Sequence, residues 1–80
     1  MKNTMQQKVV NVWIDDTAVY IKTDKGEVYS ELFADYPRLR NATPAQRANF
    51  EHYNLGIRWN EIDEDLSYNG FLRPLVRRNL

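Results

Sequence analysis

KVVNVWIDDTAVYIKTDKGEVYSEL, residues Lys8–Leu32, decides the fold. It holds three runs rich in β-branched and aromatic residues, KVVNVWI, AVYIKT and EVYSEL. Such side chains suit a pleated, half-buried surface. With side chains alternating along a strand, Val10, Val12 and Ile14 share one face, and Val9, Asn11 and Trp13 share the other. In the second run Val19 and Ile21 oppose Tyr20 and Lys22. In the third, Val28 is expected inward and Tyr29 at the rim. Between the runs lie DDT (Asp15–Thr17) and DKG (Asp24–Gly26). Aspartate and threonine bond their own backbone in turns, and Gly26 can take the positive φ of a short hairpin loop. Three strands joined by two tight turns form an antiparallel meander.

Downstream the punctuation changes to that of helices. Pro37 biases Tyr36 away from helical geometry, so a short helical turn starts at Pro37 and holds Arg38 and Leu39. In NATPAQRANFE, Thr43 is placed to cap, Pro44 suits the first helical position, and Gln46 completes a capping box. The helix is expected from Pro44 to about Glu51, with Ala45, Ala48 and Phe50 facing the sheet. Asn54–Gly56 would end this region. Ile57–Trp59 reads as a short fourth strand at a sheet edge. The whole is an α+β domain: a small antiparallel sheet, a three-strand meander plus a short fourth strand, with two or three short helices packed on it. Residues 1–80 read as one domain, with a loose N-terminus over 1–7 and a terminal helix or tail over 73–80.

Composition narrows the function classes. Eleven basic side chains balance eleven acidic ones in 80 residues. A neutral chain has no global field that draws it to nucleic acid or an anionic membrane. With no cysteine, disulfides, thiolate metal sites and cysteine nucleophiles are excluded. No stretch approaches the ~20 apolar residues of a spanning helix, and no signal-peptide run opens the chain. A soluble, cytoplasmic protein without membrane association is expected.

WNEIDEDLSYNG (Trp59–Gly70) concentrates four carboxylates, Glu61, Asp63, Glu64 and Asp65. A calcium loop needs a glycine at its sixth position, which this run lacks. The only histidine, His52, lies upstream. An acid–base pair needs a pocket that separates two pKa values, and no nucleophile–histidine signature accompanies the run. The favoured reading is a helix start. Asp65 and Ser67 would cap it, the carboxylates would sit at its positive end, and the remainder would pair with Arg38, Arg47 or Arg58. Docking of a basic partner is the functional alternative.

In FLRPLVRRNL the apolar residues Phe71, Leu72, Leu75 and Val76 fall at helical spacing among Arg73, Arg77 and Arg78. A terminal helix packed on the sheet is favoured over a basic contact to nucleic acid. Trp13 and Trp59 read first as core residues. An exposed one would be a candidate interface anchor.

YPRLRNATPAQRANFE (Tyr36–Glu51) followed by GIRWNEIDEDLSYNGFL (Gly56–Leu72) resembles a bacterial family known as domain of unknown function 2442. The resemblance covers the chain from the strand around Trp13 to Leu72, leaving the tail RPLVRRNL outside. It implies a small α+β fold and carries over no enzymatic reaction and no cofactor. Members are sometimes joined to a helix-turn-helix domain, for which this chain has no room after Leu72. Some are similar in setting to the smaller partner of a toxin–antitoxin-like pair.

These readings lead to a non-enzymatic protein-interaction module, in antitoxin-like form the partner of a neighbouring gene product. Its candidate surface comprises Trp13, Arg38, Arg47, Trp59, Glu61, Asp63, Glu64, Asp65, Arg73, Arg77 and Arg78. No catalytic, cofactor-binding or metal-binding residue is assigned. The alternative is a nucleic-acid-associated accessory using the basic tail. A homodimer through the edge strand KVVNVWI is a further expectation, because an unpaired sheet edge must be covered, charged or paired.

Overall fold

The computed structural model describes residues 7–71. The expected meander is present as β1 (Val9–Ile14), β2 (Ala18–Thr23) and β3 (Val28–Leu32), antiparallel in that order. Its turns form as the residues dictate. Asp15 Oδ1 accepts hydrogen bonds from the N–H groups of Thr17 and Ala18, both at 2.9 Å. Gly26 adopts φ +84°, a conformation that glycine reaches without steric cost.

Strand phase departs from simple alternation in two places. Val9 pairs with Thr23 but Asn11 pairs with Lys22, so β1 carries one extra residue. This bulge turns Val9 toward the core, alongside Val12 and Ile14, and leaves Val10 exposed. The expected Val10–Val12–Ile14 face is corrected accordingly: an inserted residue resets the two-residue period. In β3 the inward residue is Tyr29, which lies opposite Ile21, and Val28 is exposed.

Beyond β3 a 3-10 turn at Phe33–Asp35 buries Phe33, then α1 (Pro37–Arg40) buries Leu39 completely. Tyr36 is extended, as its position before proline requires. In α2 (Pro44–Ala48), Thr43 Oγ1 accepts from the Gln46 N–H at 3.1 Å, and Gln46 Oε1 accepts from the Thr43 N–H at 2.9 Å. The capping box is complete, but the helix stops three residues early. Glu51 and His52 form β4 instead. Ala45 and Ala48 face solvent, while Gln46, Arg47 and Phe50 are half-buried.

The larger correction concerns the second half. Ile57 and Trp59 do not extend the first sheet. They belong to β5 (Gly56–Trp59), the central strand of a second antiparallel sheet between β4 and β6 (Glu64–Ser67). Tyr53–Leu55 is a hairpin loop rather than a helix end, closed by the Tyr53 N–H donating to Gly56 O at 2.9 Å. Gly56 is required where it stands, because a Cβ there would collide with the Leu66 backbone carbonyl.

Asn60–Asp63 is likewise a hairpin turn, and Glu64, Asp65 and Leu66 are strand residues, not a helix start. Asp63 holds φ +56°, a conformation aspartate tolerates better than most residues. Only Ser67 acts as expected, accepting from the Asn69 N–H at 3.2 Å at the start of α3 (Tyr68–Phe71). Residues 1–6 and the remainder of the expected C-terminal helix, with Arg73, Arg77 and Arg78, lie outside the described residues. Gln7 is not loose: its Nε2 donates to Glu27 at 2.9 Å.

One core joins the two sheets. Val12, Val19 and Ile21 come from the first and Ile57, Trp59 and Leu66 from the second, with Phe33, Leu39, Tyr68 and Phe71 filling the space around them. The fold is α+β, with two three-stranded sheets where the sequence suggested a single four-stranded one.

Candidate functional site

Each sheet contributes its inner face to the core, so candidate surfaces lie on the outer faces and at the seam between the sheets. The outer faces differ in chemistry.

On the first sheet, Trp13 of β1 lies directly opposite Tyr20 of β2. Their rings stack with centroids 5.4 Å apart and planes 9° from parallel. Both are half-buried, and alternation puts them on the side away from the Val12–Ile21 face. The expected core position of Trp13 is therefore corrected: it lies half-buried on the outer face. Val28 and Leu32 belong to the same outward set and are about half exposed (51% and 50%).

An acidic turn borders the aromatic pair. The Tyr20 hydroxyl donates to Asp15 Oδ2 at 2.6 Å. This bond, with those from the Thr17 and Ala18 N–H groups, holds the Asp15 carboxyl below its ordinary range and raises the Tyr20 phenol. Asp15 thus remains ionised beside the stack, with Asp16 exposed next to it.

On the second sheet, Arg58 occupies the middle strand between Glu51 and Asp65. Its Nη2 reaches Asp63 Oδ1 at 2.6 Å, its Nη1 lies 3.7 Å from Asp65 Oδ2, and its Nε donates to Asn60 at 3.0 Å. The Arg58 hydrogen bond and charge, with a smaller effect from Arg38, hold the Asp63 carboxyl below its usual range. Arg38 Nη1 also contacts the Asp63 carbonyl at 3.3 Å and Glu64 at 4.0 Å. Glu61 accepts from Gln46 Nε2 at 3.1 Å. The acidic run is therefore consumed in tying a hairpin turn to α1, α2 and β5. Among the described residues, no three or more His, Cys, Asp or Glu side chains come together to hold a metal ion. His52 instead borders the seam between the sheets.

Two candidates turn inward. Trp59 is fully buried, and its indole N–H donates to the Arg47 carbonyl at 2.9 Å. The Arg47 guanidinium donates to the carbonyls of Leu39 (2.9 Å), Arg40 (3.0 Å) and Asp16 (3.4 Å), and lies 4.8 Å from the Phe33 ring centre. It satisfies the open C-terminal end of α1 and bridges it to the β1–β2 turn. Trp59 is closed to a partner, while Arg47 is half-buried with its guanidinium engaged by these carbonyls. Sequence reading offered Arg47 as a partner for carboxylates and had no signal for this role, since all three of its acceptors are backbone atoms.

Sequence reading also missed a groove at the seam. The beginning of β1, the β4–β5 hairpin loop and the start of α3 enclose about 570 Å³. Lys8, Val9, His52, Tyr53, Leu55 and Tyr68 are among its walls. These residues are scattered along the chain, so no local pattern announces them.

β1 and β3 are the edges of the first sheet. The bulge at Val9–Asn11 interrupts the β1 edge, and bulges of this kind discourage pairing with another chain. Among the described residues, no helix is long and apolar enough to cross a membrane.

Comparison with known proteins adds a family and nothing more specific. No curated protein and no solved structure matches the chain. The profile of a family described as "protein of unknown function (DUF2442)" matches residues 9–77, reaching five residues into the tail that the sequence resemblance left outside. Because that match spans both sheets and every described helix, the chain belongs to the DUF2442 family.

Proposed function

We propose that this protein is a non-enzymatic interaction module that docks another protein on the outer face of its first sheet. The stacked Trp13–Tyr20 pair carries this reading. A tryptophan held at a fixed angle on a rigid strand pair loses little conformational freedom on binding, and tryptophan and tyrosine are enriched among residues that dominate interface energies. Val28 and Leu32 extend the apolar area, and Asp15 and Asp16 border it. The described residues hold seven basic and eleven acidic side chains, a net charge of −4. The fitting partner is therefore a protein surface with an apolar centre and basic residues at its rim.

In its specific form, the proposal makes the partner the product of a neighbouring gene in an antitoxin-like pair, acting in the cytoplasm. The absence of cysteine suits that compartment. The nucleic-acid alternative draws its support from Arg73, Arg77 and Arg78, and the acidic balance of residues 7–71 works against it.

Co-purification with the neighbouring gene product, followed by binding of the purified pair, tests the proposal. Trp13→Ser should weaken the complex by about tenfold or more, since an anchor is worth about 2 kcal/mol. Arg58→Ala should leave it nearly unchanged. Equal affinity for the Trp13→Ser variant and the parent chain would remove the basis of the reading.

A further inference from the structure

The seam groove differs in charge from the surface around it. Eleven acidic side chains lie among residues 7–71, yet none is among the groove's described walls. Residues 1–6 and 72–80 contain no acidic side chain that could be added to it. The walls do hold Lys8 and His52, and neither side chain makes an ion pair or hydrogen bond among the described residues. Lys8 is fixed in place by its backbone, which exchanges hydrogen bonds with Asp24: the Lys8 N–H donates to Asp24 Oδ1 at 3.3 Å and Lys8 O accepts from the Asp24 N–H at 2.8 Å.

Tyr68 supplies the second observation. It is 5% exposed and borders the groove, and its hydroxyl has no hydrogen-bond partner among the described residues. Burial is the main cause raising its phenol above the ordinary value, with Tyr53 adding a smaller effect. A neutral phenol can donate to an acceptor placed in the groove. Its backbone is secured independently, the Tyr68 N–H donating to Leu55 O at 2.9 Å. Val9, Tyr53 and Leu55 also line the groove, the last 72% exposed. A volume of about 570 Å³ lies within the range of small-molecule sites, roughly 300–1,000 Å³.

We propose that this groove binds a small organic carboxylate with an apolar body, its carboxylate held by the Lys8 ammonium and the Tyr68 hydroxyl and its body against Val9, Tyr53 and Leu55. The absence of wall carboxylates removes the repulsion that the rest of the surface would impose. The ammonium and phenol together offer charge-assisted and neutral donors to one anionic group. The site is separate from the Trp13–Tyr20 face and stands whether or not that face docks a protein.

The test is amide-resolved NMR titration of the full 80-residue chain with benzoate and indole-3-acetate, against benzamide and indole-3-acetamide. Acetate at equal concentration serves as the control for a bare anion. The proposal expects saturable shifts at Lys8, Val9, Tyr53–Leu55 and Tyr68 with at least one aromatic acid at millimolar concentration, and much weaker ones with the amides and acetate. Lys8→Gln should weaken binding about tenfold, the loss of one charge-assisted contact. Tyr68→Phe should weaken it several-fold while keeping the ring in the core. Leu55→Ser, at an exposed position, separates loss of the apolar wall from loss of the fold. Absence of groove shifts with both acids, equal shifts with the amides or acetate, or unchanged affinity in Lys8→Gln would each overturn the proposal.

Discussion

The two sheets have the same plan: three short antiparallel strands with the inner face given to a shared core. Their outer faces show how differently such a plan can be finished. The second sheet covers its middle strand with Arg58, set between Glu51 and Asp65 and bonded to Asp63. Water and counter-charge already satisfy that face. The first sheet leaves Trp13 stacked on Tyr20, with Val28 and Leu32 in the open. Exposed ion pairs contribute little to stability, whereas half-exposed aromatic and aliphatic area remains available to a partner. An acidic run is the conspicuous feature of the sequence, yet the quieter aromatic pair is the stronger candidate for recognition.

The comparison can be broken most severely from inside. Trp59→Ala removes the largest fully buried side chain and its hydrogen bond, and should cost about 3–5 kcal/mol. A domain of this size has only several kcal/mol to lose, so chemical denaturation should find the variant largely unfolded at ambient temperature. If Trp13→Ala were equally damaging, the contrast between inner and outer tryptophans would be wrong.

Next in size is Arg47→Ala, which leaves the Arg40 carbonyl without its guanidinium donor and the Leu39 carbonyl with backbone donors alone, and should cost about 1.5–3 kcal/mol. Arg47→Lys should recover only part of this, because an ammonium cannot match a fork that spans three carbonyls. Full rescue by lysine in urea denaturation would show that charge alone matters there. Thr43→Ala should cost about 1 kcal/mol by opening the capping box.

Acid titration sharpens the comparison of the outer faces. Asp15, on the first sheet, and Asp63, beside the second, both have carboxyls lowered in the folded state. A lowered folded pKa contributes stability that is fully present above the unfolded pKa and lost as pH falls through the folded one. Stability should therefore be level near neutral pH and decline below the ordinary carboxylate range, near 4. Asp15→Asn and Asp63→Asn should each flatten part of that decline, as followed by thermal denaturation across pH. The smallest effect belongs to Arg58→Ala at neutral pH, where the melting temperature should scarcely move because the pairs it loses are exposed.

The legible parts of this structure are those set by neighbours in sequence. The meander, the Thr43–Pro44–Gln46 cap, the extended Tyr36 and the positive φ of Gly26 all follow from local chemistry. The missed parts were decided at a distance. Nothing local distinguishes Val9 from Val10, and the bulge that selects Val9 exists only in pairing with β2. Asparagine and aspartate serve both as helix caps and as turn residues, so Asn60–Asp63 could be read either way until β5 and β6 paired. Ala45 and Ala48 carried the helical period, but the half-buried side is that of Gln46, bonded to Thr43 and Glu61, and Arg47, bonded to distant backbone carbonyls. Of the candidate site, Trp13 was visible as a residue. Its face was not, since the choice between core and solvent depends on which side the second sheet covers. The Lys8–Tyr68 groove had no sequence signature at all.

The most direct test of the central claim is site-specific photo-crosslinking in cells of the source organism. A photoreactive residue is placed at position 28 or 32 on the aromatic face, and at 51 or 65 on the charged face. The account predicts one recurrent protein adduct from positions 28 and 32 that is absent from 51 and 65 and is lost when Trp13→Ser is added. Adducts from the charged face alone, or a recurrent adduct that survives Trp13→Ser, would contradict it.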